Sequence, residues 1–198
     1  MKHAPSWPHW YDREHSPYRA DRKMTEEYAN WLKQVDWQLF CTFTFPGVVF
    51  DQEAIKAFAE FINQLEHYRQ CDVAYVRGDE KRYSGCGKPG CPRHFHALLA
   101  CDRPIAPEYV EALWNSKVGR RSDADSAQVK PYDPNLDGLS YVLKYINQPE
   151  GDWALRKIDL FLPSKAGEKI TKHMRRHLRR HPALEQFRQG QDAGGESD

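Results

Sequence analysis

The sequence predicts an α+β fold in which an antiparallel central sheet is flanked by helices. Stretches of helix and strand character follow one another as α, β, α, β, β, α, β, α, with few of the β-α-β units that build parallel sheets. No glycine-rich phosphate loop joins a strand to a helix, which argues against a doubly wound fold. Aromatic residues make up 13% of the 198 residues, enough to fill a core between a sheet and its helices.

Residues 25–34 can form a helix with Tyr28, Trp31 and Leu32 on one side. Residues 37–45 are aromatic and β-branched and end at Pro46-Gly47, so they read as a strand. Its alternation puts Leu39, Cys41, Phe43 and Phe45 on one face and Phe40, Thr42 and Thr44 on the other. Asp51 is expected to cap a helix in which Ile55, Phe58, Phe61, Ile62 and Leu65 recur at helical spacing. Residues 73–77 form a second strand, 78–92 a loop rich in Gly, Lys, Pro and Cys, and 95–101 the central strand. Pro107 opens a helix through Val110, Leu113 and Trp114, and residues 127–132 form a short strand. Asp137 is expected to cap a helix carrying Tyr141 and Tyr145, and residues 158–162 to add an edge strand before a basic helix. The domain would then span residues 25–162, after a polar arm (1–24) and before a basic helical segment (163–188) and a disordered Gly- and acid-rich tail (189–198).

No apolar run reaches the roughly 18 residues of a membrane span, and the N-terminus lacks the apolar stretch of a signal peptide. Five cysteines are an odd count, unlike a secreted disulfide framework. A cytoplasmic protein is expected, with no membrane partner. The net charge of +1 conceals a cationic block. Between residues 165 and 181 stand Lys165, Lys169, Lys172, Arg175, Arg176, Arg179 and Arg180, against the single acid Glu168.

Two constellations carry chemistry. His94 and His96, separated by Phe95 in an otherwise apolar strand, point to the same face and can share one metal ion. The third ligand would be a carboxylate, and Glu80 and Asp79 are the nearest candidates in sequence. Oxygen plus imidazole ligation suits Mg²⁺ or Mn²⁺ with positions open for a phosphate. On the helix after Asp137, Leu139, Val142, Leu143 and Ile146 form an apolar stripe, and Tyr141, Lys144, Tyr145 and Gln148 the opposite one. An unperturbed phenol has a pKa of about 10, so a nucleophilic tyrosine needs a nearby cation, and Lys144 can supply it.

Together the strand Thr42-Phe43-Thr44-Phe45-Pro46, the motif His94-Phe95-His96 and the motif Tyr141-Val142-Leu143-Lys144-Tyr145 resemble the three ordered motifs of the HUH endonucleases. The likeness is to the rolling-circle replication initiators of plasmids and phages, and the last motif is similar to the two-tyrosine phage form. It covers roughly residues 37–148. The resemblance implies an HUH/RRM-like palm and a divalent metal, Mg or Mn, held by His94, His96 and an acid. The chain departs from the family there, because Asp79 and Glu80 compete for the acidic position across an enlarged loop, and Glu80 is favoured. The resemblance also implies nicking of single-stranded DNA at a replication origin through a 5′-phosphotyrosine. Tyr141 matches the primary nucleophile, and Tyr145 would alternate with it or be structural. The sequence carries no helicase motif, so a host helicase would unwind the duplex. An HUH transposase or relaxase would use the same chemistry.

Other groups have competing uses. Cys86 and Cys91 with His94 and His96 have a spacing that a four-ligand zinc site tolerates; that closed site leaves no position for catalysis and would make the chain a non-catalytic zinc-stabilised DNA-binding module. A Gly/Pro turn with incidental thiols is the simpler reading. His173, His177 and His181 form a ladder, but Arg175, Arg176, Arg179 and Arg180 among them suit DNA-backbone contact better. Trp114, Lys117, Arg120 and Arg121 could contact single-stranded DNA by stacking and charge, while Trp114 fits the core equally well.

Overall fold

A computed structural model describes residues 19–80, 93–119, 127–144 and 153–162. The expected α+β class is what it shows: a five-stranded sheet in the order β4-β1-β3-β2-β5, antiparallel at every pairing. The strands are β1 (Leu39–Thr44), β2 (Val73–Glu80), β3 (His94–Cys101), β4 (Gln128–Pro131) and β5 (Trp153–Arg156). The helices are α1 (Arg19–Leu32), α2 (Asp51–Arg69), α3 (Pro107–Val118) and the short α4 (Gly138–Leu143).

Strand alternation sorts the side chains into two cores. Leu39, Cys41 and Phe43 of β1 and Phe95, Ala97 and Leu99 of β3 pack against α2 and α3. There Phe43, Phe58, Phe61 and Trp114 meet at centroid separations of 4.9–6.4 Å. The opposite face, with Ala74, Val76, Leu98 and Ala100, packs against Tyr28, Trp31 and Leu32 of α1 and Leu139, Val142 and Leu143 of α4. Both the predicted facing of β1 and the apolar stripe of α4 are as the sequence implies, with Ile146 outside the described residues.

Several elements differ from expectation. The helix expected at residues 25–34 begins at Arg19, inside the supposed arm, because Met24 extends the buried row of Tyr28, Trp31 and Leu32 by one turn. In α2 the N-cap is Phe50, not Asp51, and Ala54 is buried where Ile55 stays 41% exposed. Strand β2 runs on to Glu80, three residues past the end that its Gly78 suggests. Asp137 stands at the N-cap of α4, but in left-handed backbone (φ 53°) and without a side-chain capping bond.

The expected edge strand at 158–162 is a 3₁₀ turn over Ile158–Leu160, and the strand at the edge beside β2 is β5. Lys157 (φ 54°) breaks extension there and Leu160 faces solvent, whereas Trp153 and Leu155 are buried and Trp153 meets Tyr28 edge-on at 5.1 Å. Among the described residues no helix is long and apolar enough to cross a membrane.

Candidate metal centre

The site lies where β1, β3 and β2 run side by side. Register pairs Glu80 of β2 with His94 of β3, Gly78 with His96, and Thr42 and Thr44 of β1 with His96 and His94. Because side chains alternate, Glu80, His94, His96 and Thr42 all leave the sheet on the face covered by α4. The Oε2 atom of Glu80 lies 3.5 Å from His94 Nε2 and 3.3 Å from His96 Nε2. One donor atom from each of the three lies within 4.8 Å of the others.

These separations are long for charge-assisted hydrogen bonds, which run about 2.7–2.9 Å. They are close to the span of neighbouring ligands around one ion: with bonds near 2.1 Å, octahedral or tetrahedral donors sit roughly 3.0–3.4 Å apart. Two imidazoles and one carboxylate serve several divalent metals and leave coordination positions open.

His96 is further constrained. Its Nδ1 faces the hydroxyl of Thr42 at 3.1 Å. A ring whose Nδ1–H is donated to that hydroxyl keeps its Nε2 lone pair for a metal. Phe40 stacks near the same ring, with centroids 6.2 Å apart. Burial holds the His96 pKa below the ordinary value of 6.5; Glu80 works against this shift, and His94 and the Lys144 ammonium add to it. The shift favours the neutral imidazole, the form in which it can bind a metal.

Helix α4 brings the phenol. Tyr141 Oη stands 3.5 Å from His96 Nε2, and the two rings meet edge-on at 4.7 Å. Lys144 Nζ lies over the Tyr141 ring, 3.6 Å from its centroid, and 3.8 Å from Glu80 Oε2. Gly138 lets this helix come so close: a Cβ there would meet Phe40 at 3.0 Å and Tyr132 at 3.4 Å. Tyr141 remains 39% exposed, accessible to a substrate from solvent.

Alternation also settles the geometry of the two candidate acids. Asp79 points to the opposite face, fully buried, and is bound by the Nε and Nη2 of Arg93, whose Nη1 also reaches Asp51 at 2.7 Å. Burial pulls the Arg93 pKa down, but the two carboxylates outweigh it and raise it. This cluster ties the ends of β2 and β3 together directly behind Glu80 and His94.

The structure thus brings together His94, His96, Glu80, Tyr141 and Lys144. Tyr145, Cys86, Cys91, Arg120, Arg121, Arg175, Arg176, Arg179, Arg180 and the histidine ladder lie outside the described residues. Trp114 is not available to stack on DNA as supposed. Trp114 is fully buried and donates to the Thr44 carbonyl at 3.1 Å, and Lys117 is paired with Glu60. The sequence reading gave no role to Thr42 or Arg93, since their importance depends on which strand lies beside which.

No protein-family profile matches the chain, and no curated protein matches it. Among solved structures, it is similar to the crystal structure of the hypothetical protein ORF119 from Sulfolobus islandicus rod-shaped virus 1. The identity is 13%, over 63% of this chain and 90% of that one, with a TM-score of 0.34. A likeness at that level carries no argument about function.

Proposed function

We propose that this chain is a metal-dependent, HUH-type single-strand DNA endonuclease and strand transferase that initiates rolling-circle replication of a plasmid or phage. The observation that carries the reading is the 3.5 Å separation between the Tyr141 hydroxyl and His96 Nε2, the same nitrogen that faces Glu80. It is a phenol at the rim of a three-donor site, in the motif order that the family resemblance leads one to expect.

The donor set fits Mg²⁺ or Mn²⁺: His94, His96 and Glu80 would hold the ion, with Thr42 orienting the His96 ring. When bound, such an ion supplies Lewis-acid polarisation of the scissile phosphate. The protein's own groups do the rest. Tyr141 loses its proton to solvent or a nearby base, and its oxygen forms the bond to phosphorus. The bond from phosphorus to the 3′ oxygen breaks, and that oxygen takes up a proton as the free 3′-hydroxyl. Lys144, whose ammonium lies over the Tyr141 ring, can stabilise charge on the phosphoryl group.

Tyr145 is the candidate second nucleophile of this scheme. Arg175, Arg176, Arg179 and Arg180 would hold the DNA backbone, a host helicase would open the duplex, and the setting would be cytoplasmic. A transposase or relaxase would share the chemistry and differ in the DNA it cuts.

The test is incubation with labelled single-stranded origin DNA and Mn²⁺, followed by a search for a denaturation-resistant protein–DNA adduct. The adduct should form with metal and vanish in Tyr141→Phe/Tyr145→Phe. Adduct that persists in that variant would overturn the nucleophile assignment. Adduct formed without divalent metal would overturn the role given to Glu80, His94 and His96.

A further inference from the structure

A second group of donors lies at the other end of the central strand. Cys101, the last residue of β3, is seven positions from His94, roughly 24 Å at about 3.4 Å per residue. Its sulfur is 2.9 Å from that of Cys71, which follows the end of α2, and both are free thiols. A carboxylate oxygen of Asp102 joins them, all three donor atoms lying within 4.8 Å of one another. Cys101 is buried, Cys71 half-buried and Asp102 exposed, so the group opens outward.

It opens onto a cleft of about 510 Å³ whose lining includes Cys101, Asp102 and the further carboxylates of Asp36 and Asp72. The backbone around it is fixed. Gln38 donates to the Cys101 carbonyl at 2.7 Å, the Asp72 carbonyl accepts from the Cys101 thiol at 3.1 Å, and the Asp72 carboxylate holds Lys157 at 2.5 Å.

From the convergence of two thiols and a carboxylate on an acidic cleft, we infer that Cys71, Cys101 and Asp102 form a second metal site. Its ion is a thiophilic divalent cation such as zinc, with the fourth position open to water from the cleft. Tetrahedral zinc with bonds near 2.3 Å spans its sulfurs by roughly 3.8 Å, so the observed 2.9 Å pair needs to open by only about 0.9 Å. Uptake replaces the two thiol protons, which leave to solvent, with two metal–sulfur bonds and changes no oxidation state. A disulfide would give Asp102 no task, whereas a metal uses all three groups. The donors also separate the two sites chemically: thiolate favours zinc, while the imidazole–carboxylate set accepts Mg²⁺ or Mn²⁺. Bound there, the ion clips the end of α2 to the end of β3, independently of any DNA chemistry.

The test uses the full chain, reduced, with Cys86→Ser/Cys91→Ser to remove the other thiols near the histidines. Titrated with cobalt(II), it should develop a thiolate-to-cobalt charge-transfer band that survives His94→Ala/His96→Ala and, in that variant, saturates at one equivalent. Cys71→Ser, at a half-buried position and checked for native circular dichroism, should lower cobalt affinity on the order of 100-fold and weaken the band. Asp102→Asn should lower affinity while keeping the band. Absence of the band, its persistence unchanged in Cys71→Ser, its loss with the histidine variants, or a Cys71–Cys101 disulfide in the freshly isolated chain would each overturn the assignment.

Discussion

The two faces of the sheet at its Glu80–His94 end are built from adjacent residues and differ in kind. On one face Asp79, fully buried, is bound by Arg93, which also holds Asp51, so each charge is met by an opposite charge within the protein. On the other, Glu80 faces two imidazoles and an ammonium at 3.3–3.8 Å, and the Glu80, His94 and His96 donor atoms are close enough to share one ion. A closed ion-pair cluster fixes strand ends, whereas the donor cluster is the group proposed to take an ion. The strand period of two makes neighbours in sequence serve these opposite purposes, and the closed face holds the open one in register.

The largest effect should come from the phenol. Tyr141→Phe should lower covalent DNA adduct on the order of 1,000-fold or more while leaving metal binding intact, measured by gel shift after denaturation and by calorimetry with Mn²⁺. Next, the adjacent acids should fail differently. Asp79→Ala leaves the buried Arg93 without its main partner and should cost about 3–5 kcal/mol of stability by urea unfolding. Glu80→Ala should weaken Mn²⁺ binding on the order of 100-fold with little change in metal-free stability. If both variants lose stability equally and neither loses metal, the contrast between the faces collapses.

That contrast was legible in part. The same-face pairing of His94 and His96 follows from spacing alone, as does the apolar stripe of α4. Choosing Glu80 over Asp79 required only that β2 continue past Gly78, which the glycine obscured. Thr42 was visible as a same-face residue of β1, but its bond to His96 depends on β1 lying beside β3, a non-local register that one sequence does not encode locally. Strand β5 has clear alternation in Trp153 and Leu155, yet its four residues are shorter than the window over which periodicity can be told from chance. Trp114 had two compatible uses, and only packing against Phe43, Phe45 and Phe61 decides for the core.

Smaller effects sharpen the account of the open face. Thr42→Val removes the partner of His96 Nδ1 and should weaken Mn²⁺ binding about 10–100-fold, with Thr42→Ser restoring it. An unchanged affinity in Thr42→Val would assign the hydroxyl to packing alone.

The smallest effect is in pH. The folded pKa of His96 lies below 6.5, so as pH falls through 6.5 the unfolded chain takes up a proton first. The metal-free protein should then lose stability from 6.5 down to the folded pKa and no further on this account. His96→Gln should flatten that part of the urea-midpoint profile, and an identical slope would mean that burial of this ring does not govern it.

The most direct measurement is a crystal structure of the full chain soaked with Mn²⁺, with anomalous diffraction locating the metal. The account predicts a peak within about 2 Å of Glu80 Oε2, His94 Nε2 and His96 Nε2, beside the Tyr141 hydroxyl and absent from the Asp79–Arg93 face. A well-ordered site without such a peak, or Mn²⁺ bound only elsewhere, would contradict it.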